Sequence, residues 1–294
     1  MNFSEKQKNV AKLLTKISTV YQNYFLSDNI FRTQFENGYK ALICFLDNYA
    51  YERQGAPKAY PKIAIKCISN KYKKGENWII PTETDVKNLW EDYRNIAISD
   101  FNMLSKNSEE AKVNKRNNPM NKNGGVINKL NSLKIPNIAV YVRDLLCDSN
   151  IAKAYKFLIN IRGVGEKISS FYLRDIAYLS NLEENDIKED LYLLQPIDTW
   201  LEQTLKVLFN NEFPNSLQDK QKKIVKLCEE SEVSSISFNQ GAWVLGSQIA
   251  GEFESFKRAI NSNNSAKNII KKHIEDKELY LIKVQDVLNM LSNL

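Results

Sequence analysis

The sequence predicts an all-α fold. Apolar residues recur at intervals of three and four in one segment after another, as expected for helices that bury one face. No segment shows the alternation of apolar and polar residues that marks a half-buried strand, and we find no internal repeat. The chain has 294 residues, of which 43% are hydrophobic and 26% charged. It is therefore long enough for one large or two modest domains with a sizeable core.

The predicted helices follow one another with polar, glycine-rich or proline-containing breaks between them. In the first helix, the apolar residues near one face are Val10, Leu13, Leu14, Ile17 and Val20. Thr82 and Asp85 are placed to cap the start of the fourth. We predict helices at about 4–26, 35–50, 60–69, 82–96, 126–133, 138–146, 154–161, 166–179, 199–207, 217–229 and 238–250, with one or two more in 265–294.

Composition excludes several classes of site. The cysteines are far apart and form no Cys-x2-Cys pair, so neither a zinc nor an iron–sulfur site is expected; they are Cys44, Cys67, Cys147 and Cys228. The single histidine, His273, is expected on a solvated face of the tail. Acid–base chemistry must therefore fall to carboxylates, lysines or tyrosines. We expect no metal, no cofactor, no membrane span and no signal peptide, and reduced thiols in a reducing cytoplasm.

The charge distribution favours an anionic partner. The net charge is +6, but from Ala111 to Val142 the chain has no acidic residue at all. The basic residues in this stretch are Lys112, Lys115, Arg116, Lys122, Lys129 and Lys134. Such a run is usually a solvated face. Because it includes the Gly124-Gly125 break and precedes a glycine hairpin, we also consider contacts to a phosphate backbone, with Lys122 and Lys129 as candidates.

The glycine hairpin, Ile161-Arg162-Gly163-Val164-Gly165, separates two apolar helical runs. Glycines suit a loop that needs a positive φ or a close approach of its backbone. Free N–H groups at the start of the second helix can then face a phosphate oxygen. The loop lacks the third glycine of a dinucleotide fingerprint and the spacing of a P-loop. An ordinary helix–helix connection is the alternative interpretation.

Two further residues suggest chemistry. Lys167 lies in the first turn of the second helix, where the helix dipole and desolvation both favour a neutral, nucleophilic amine. Asp198 precedes Thr199 at the start of a later helix. It is either the N-cap of that helix or, if Thr199 and Glu202 form a capping box, a carboxylate free to face a cleft. Lys167 could equally be an exposed lysine whose stem escapes the dipole.

Together, the Gly-Val-Gly-x-Lys hairpin and the Pro-Ile-Asp-Thr turn resemble the helix-hairpin-helix DNA glycosylases, the superfamily of endonuclease III and the 8-oxoguanine glycosylases. The separation of 31 residues between Lys167 and Asp198 is most similar to the archaeal-type 8-oxoguanine glycosylase/AP lyase branch. The resemblance covers about 35–250. It implies two helical domains with a helix-hairpin-helix motif and a cleft between them, over residues 35–195 and over 1–34 plus 196–294.

The resemblance also implies roles for individual residues. Lys167 and Asp198 would be catalytic. The DNA backbone would be held by Arg162, Gly163, Val164, Gly165, Lys122 and Lys129. The extruded base would lie in a pocket built from Phe171, Trp243, Gln54, Trp90 and Gln240, with Arg53 near Gln54 and Asn239 near Gln240. Trp90 could equally be a core residue. The chain departs from the family at Trp200, where many members have histidine, and in lacking a four-cysteine cluster.

The function expected from these residues is a base-excision repair glycosylase with β-lyase activity. It would most readily remove 8-oxoguanine from double-stranded DNA through a lysine Schiff base, without a cofactor. The alternatives are a glycosylase for another damaged base and a non-catalytic helix-hairpin-helix DNA-binding protein. We expect a monomer in the cytoplasm, associated with the nucleoid.

Overall fold

The computed structural model describes residues 3–52, 58–101, 118–182, 190–210 and 214–276. Within these ranges the chain forms 14 α-helices, short π-helical and 3-10 turns, and no strand. The predicted all-α class is therefore confirmed. Among the same residues, no helix combines the length and the apolar character needed to cross a membrane.

The first helix, α1 (Glu5–Val20), begins with a capping box between Ser4 and Gln7. The five apolar residues predicted for its inner face are all buried. A π-helical turn, Tyr21–Phe25, continues it. The next helices are α2 (Asn29–Thr33), α3 (Gly38–Phe45), α4 (Ala59–Tyr72) and α5 (Glu83–Phe101). A second π-helical turn, Leu46–Ala50, extends α3, and Thr82 and Asp85 are hydrogen-bonded to each other at the start of α5 as predicted.

Most of the remaining helices agree closely with the sequence-based ranges, but the helix Phe253–Asn261 was not predicted. The remaining helices are α6 (Val126–Leu133), α7 (Ile138–Cys147), α8 (Ile151–Ile159), α9 (Glu166–Leu179), α10 (Thr199–Phe209), α11 (Leu217–Glu230), α12 (Ser235–Trp243), α13 (Phe253–Asn261) and α14 (Asn263–Asp276). Another difference is at Trp243, where α12 changes into a π-helical turn, Val244–Ala250. Residues 277–294 of the predicted tail lie outside the described ranges.

The chain divides into two units. Unit 1 comprises Met1–Asp28 and Asn181–Leu294, and unit 2 comprises Asn29–Ser180. The ranges implied by the resemblance, 35–195 and 1–34 plus 196–294, remain a prediction for functional domains.

In unit 2, an ion pair lies inside the core. The Arg174 guanidinium contacts the Asp175 carboxylate at 2.8 Å, and both side chains have an exposed fraction of 1% or less. Tyr49, from the π-helical turn after α3, donates a hydrogen bond to the other Asp175 oxygen at 3.1 Å. Arg174 is therefore a core residue of unit 2, because Asp175 and the Phe171 ring compensate its charge in the interior.

In unit 1, α1 packs directly on α12. A Cβ added at Gly241 would lie 1.7 Å from the Leu14 carbonyl oxygen, so the two helix backbones touch at this point. His273 is only 7% exposed on α14. The prediction that it lies on a solvated face is therefore wrong, and the reason is that this side of α14 packs against the rest of unit 1.

All four cysteines are free thiols, and Cys147 is the exposed one. Burial, together with the nearby Asp92 carboxylate, raises the pKa of the Cys67 thiol to about 11. This thiol therefore stays protonated and unreactive at neutral pH.

Candidate functional site

The glycine hairpin connects α8 to α9 through residues 160–165. Gly163 has a φ of 89°, in the left-handed region that favours glycine. Val164 is buried, and its N–H donates to the Ile161 carbonyl oxygen at 2.9 Å. The loop is therefore a tight turn anchored by its apolar residues. Gly165 is the N-cap of α9, and no side chain of the described residues caps this helix.

Gly165 differs from the other glycine N-cap in unit 2. Its backbone is extended, with φ −103° and ψ −177°, a conformation that any residue adopts. A Cβ added there would meet nothing within 4 Å. At Gly125, the N-cap of α6, an added Cβ would lie 2.3 Å from the Asn121 carbonyl oxygen. The fold therefore explains glycine at 125 but not at 165, where it leaves open space in front of the first-turn N–H groups of α9.

The loop before α6, which contains no acidic residue, is hydrogen-bonded to the hairpin through the backbone. The Arg162 N–H donates to the Gly124 carbonyl oxygen at 2.7 Å. Arg162 Nε is buried and has no hydrogen-bond partner among the described residues. Lys122 is exposed, with its ammonium 3.9 Å from a Glu91 carboxylate oxygen. Lys129 lies half-buried on α6. The structure thus brings Lys122 and the hairpin together through Gly124.

Lys167 is exposed in the first turn of α9. No carboxylate in the described ranges forms an ion pair with it. One turn later, Phe171 is half-buried, with the Arg174 guanidinium 4.4 Å from its ring centre and the Tyr49 ring edge-on at 5.5 Å. One face of the Phe171 ring is therefore covered by an arginine. Burial raises the pKa of Tyr172 well above its usual value, so this phenol stays neutral.

Asp198 is the N-cap of α10, and its carboxylate accepts a hydrogen bond from the Leu201 N–H at 2.8 Å. Of the two alternatives, the structure therefore shows Asp198 as the cap and not a capping box of Thr199 and Glu202. Aspartate ranks above threonine as an N-cap, so Thr199 becomes the exposed first residue of the helix. Glu202 instead lies 3.3 Å from the Lys220 ammonium.

Buried amides hold the turn that precedes Asp198, and sequence reasoning had not assigned them this role. Gln221 donates to the Gln195 carbonyl oxygen at 2.9 Å, and Gln195 donates to Ser235 at 3.0 Å. Asn239 donates to the Pro196 carbonyl oxygen and to Gln195 Oε1, both at 3.2 Å. A sequence signal did exist at Gln221, because it is a polar residue on the apolar stripe of α11.

Two proposed base-pocket residues of unit 1, Gln240 and Trp243, lie on α12, the helix that also carries Asn239. Trp243, half-buried, packs edge-on against Tyr21 at 5.6 Å and Phe25 at 5.2 Å. Gln240 is buried, and its side-chain Oε1 accepts a hydrogen bond from the Gln22 side-chain amide at 2.9 Å. Trp200 packs on Gly246, where an added Cβ would lie 2.2 Å from the indole ring. The packing of unit 1 at this point is thus shaped around tryptophan at position 200.

The other two pocket candidates give different results. Trp90 is 4% exposed and stacks on Tyr93 at 6.0 Å with an interplanar angle of 16°. It is a core residue of unit 2, as the alternative interpretation held. Gln54 and the neighbouring Arg53 lie outside the described residues.

Comparisons with known proteins give one relative and no family. An uncharacterised protein of Methanocaldococcus jannaschii is 30% identical over 186 residues. The match covers 58% of this chain but only 41% of the relative, so the chain corresponds to less than half of that protein's length. No family model matches the sequence, and no solved structure matches it.

The two N-cap glycines provide a matched test. We expect Gly165→Ala to lower the free energy of unfolding by about 0.5–1 kcal/mol, because alanine is a poorer N-cap than glycine, and to add no overpacking cost, because the added methyl group meets nothing within 4 Å. Gly125→Ala should cost about 1–3 kcal/mol from overpacking. Chemical denaturation of both variants measures the two changes in the free energy of unfolding.

If the space at Gly165 serves a backbone phosphate, Gly165→Ala should weaken binding to duplex DNA, the partner that the resemblance implies. Equal destabilisation by the two variants would contradict this account.

Proposed function

We propose that this protein is a base-excision DNA glycosylase with associated AP lyase activity, in a helix-hairpin-helix architecture with its catalytic residues at a cleft. The observation that carries the proposal is Lys167. It is an exposed amine without a carboxylate partner in the described ranges, in the first turn of a helix that no side chain caps. It follows a glycine that the fold itself does not require.

The hairpin supplies the DNA contact. Unpaired N–H groups at a helix start attract phosphate oxygens, and Gly165 lets a DNA strand approach them closely. Arg162 and Lys122 add positive charge beside this point. Such contacts position the protein on the backbone without reading sequence. The damaged nucleotide must then leave the base stack, at a cost of roughly a few kcal/mol.

Lys167 performs the chemistry in this proposal. Its neutral amine attacks C1′ of the extruded nucleotide, a C1′–N bond forms, and the bond from C1′ to the damaged base breaks. The sugar ring opens to give a protonated Schiff base. Loss of a C2′ proton then expels the 3′-phosphate by β-elimination and nicks the strand. Water finally hydrolyses the imine and frees Lys167.

Asp198 assists the same nucleotide. A carboxylate near C1′ stabilises the positive charge that develops on the sugar, or takes a proton from the attacking amine. Its position as N-cap of α10, with the preceding turn held by Gln221 and Asn239, makes its orientation fixed. A fixed negative charge costs no reorganisation when the sugar becomes positive.

The proposed substrate is 8-oxoguanine, with Phe171 and Trp243 as the stacking residues that the resemblance implies. Stacking would contribute ~1–3 kcal/mol per ring. It cannot separate 8-oxoguanine from guanine, which has the same ring area. Discrimination needs a hydrogen bond to the protonated N7 or the added oxygen, and leaving that partner unpaired costs about 1–3 kcal/mol. Asn239 and Gln240 already bond within unit 1, so Gln54 is the remaining candidate to test.

Covalent trapping tests the role of Lys167. With borohydride, the wild type should form a stable protein–DNA adduct on a duplex that contains a damaged base. Lys167→Gln should lose the adduct but bind the duplex nearly as well, because only the nucleophile is removed. Lys66→Gln, an equal charge change on the exposed side of α4, should trap normally. An adduct with Lys167→Gln would mean that another amine is the nucleophile.

Asp198→Asn separates catalysis from capping. Asparagine caps helices about as well as aspartate, so stability should change little. Loss of the charge should lower single-turnover excision by about 10²-fold or more, a loss of ~2.7 kcal/mol or more in transition-state stabilisation. The control is Ser216→Ala, which removes the N-cap of α11 and should lower stability while leaving excision unchanged. Normal excision by Asp198→Asn would remove Asp198 from the mechanism.

A second candidate function has one observation in its favour. Because Asp198 already has a structural role as N-cap, the protein could bind DNA through the hairpin without any reaction. Lys167 would then contact only a phosphate. Binding would be salt-sensitive, and borohydride would trap nothing on any damaged duplex, which distinguishes the two candidates.

The identity of the base has its own test. Duplexes with 8-oxoguanine, thymine glycol, uracil or 3-methyladenine are offered in competition. We expect preference for 8-oxoguanine, and we expect Trp243→Ala to lower its excision at least about fivefold, since one stacking contact of ~1 kcal/mol or more is lost. Trp90→Phe, a change in the core, should keep the preference. Preference for a pyrimidine lesion would contradict the pocket but not the lysine chemistry.

A further inference from the structure

A groove of about 210 Å³ lies on the surface of unit 2 between α6, α7 and α8. It is separate from the open space at Gly165, and the mechanism above does not use it. Lysines come from two different helices, Lys129 from α6 and Lys153 and Lys156 from α8. No carboxylate lines the groove, and none in the described ranges forms an ion pair with these three lysines. The groove therefore favours a ligand that carries several negative charges.

The charge of the surrounding sequence supports this. Residues 111–165 contain ten lysines and arginines and two aspartates, a net charge of +8. The whole chain carries +6, so the rest of it carries −2. The positive charge of this protein is concentrated in the segment that builds the groove and leads into the hairpin. A polyanion is the partner that such a concentration fits.

The groove also has an apolar part. Leu133 is 54% exposed, although leucine is usually buried. Next to it, the rings of Tyr141 and Phe157 meet edge to face, with centroids 4.9 Å apart and an interplanar angle of 68°. Duplex phosphates would gain nothing from these groups. A flat apolar ring placed over Tyr141 and Leu133 would remove their exposed surface from water.

The position of the groove connects it to the hairpin. Asn160 lines its end and is also the C-cap of α8, where the hairpin loop begins. The Asn160 amide donates to the Lys156 carbonyl oxygen at 2.7 Å, which fixes this junction. The groove and the hairpin loop therefore share Asn160, so that they are neighbours in unit 2.

We propose that this groove binds an unpaired stretch of DNA, with one base against Tyr141 and Leu133 and the neighbouring phosphates on Lys129, Lys153 and Lys156. The bases of a duplex are enclosed in the stack, so only an unpaired base can reach the apolar part. Lysines along a backbone and an aromatic ring under a base are the two elements that single-strand binding uses. That the polyanion is DNA rests on the proposed function.

The test is binding of a short fluorescent oligothymidylate to the full chain, measured by anisotropy at several salt concentrations. The double variant Lys153→Gln/Lys156→Gln should bind about tenfold more weakly. The slope of log affinity against log salt should become shallower by about 1.4, since each lost phosphate contact on a single strand contributes about 0.7. Lys62→Gln/Lys66→Gln, an equal change on the exposed side of α4, should keep both affinity and slope.

Two further measurements test the base contact. Leu133→Glu places a carboxylate at an exposed position that the fold tolerates, and it should weaken binding about fivefold or more. Its control is Ile79→Glu, since Ile79 is 60% exposed elsewhere in unit 2 and should have no effect. An abasic strand of equal length should bind about fivefold or more weakly than oligothymidylate. Equal affinity for the two strands would overturn the base contact, and unchanged binding by the lysine variant would overturn the groove as a whole.

These outcomes are independent of excision, because the strand is undamaged and Lys167 is intact in every variant. Failure of the groove therefore leaves the trapping result unaffected. If the wild type bound oligothymidylate in the groove as expected but formed no borohydride adduct, only the proposed lysine chemistry would be rejected.

Discussion

The buried ion pair between Arg174 and Asp175 is the interaction on which the position of the hairpin depends. Taking two charges out of water costs several kcal/mol per ion, and the interior of unit 2 compensates this with Tyr49 on the carboxylate and the Phe171 ring under the guanidinium. All of these partners lie on α9 or on the π-helical turn after α3. The pair therefore ties α9 to α3, and the loop that begins α9 is fixed with it. Removing either partner would leave an unpaired buried charge, which costs about 3–5 kcal/mol.

Most helices could be predicted from the sequence because the residues that determine where a helix begins, ends and is buried lie within the helix or next to it. Caps such as Ser4 and Thr82, glycine and proline breaks, and apolar stripes mark the ends and inner faces of α1, α6 and α9 almost to the residue. The hairpin could be predicted for the same reason, since a few adjacent residues determine the tight loop and the positive φ of Gly163. The choice between the two caps at 198 and 199 is local as well, because aspartate is the better cap.

The roles that could not be predicted depend on distant partners. Arg174 has helical neighbours that suggest an exposed face, but its charge is compensated by a carboxylate that Tyr49, 126 residues away, also holds. Asn239 and Gln240 looked like groups for reading a base, yet their amides are used by Pro196 and Gln22 within unit 1. His273 was assigned to solvent by its polar neighbours. The sequence shows which polar groups a chain has, but the partners of the buried ones are fixed only when the helices pack together.

The contact between Gly241 and Leu14 has a consequence for the order in which the chain folds. The inner face of α1 is completed by α12, and the two are separated by the whole of unit 2. During synthesis, the first helix emerges early and must keep Leu13, Leu14 and Ile17 uncovered until residues near 241 have left the ribosome. Unit 2 is continuous in sequence and can fold in the meantime, since domains generally fold as units during translation. The N-terminal helix therefore docks only after unit 2 has been synthesised, and until then its apolar face is exposed to aggregation and to chaperones.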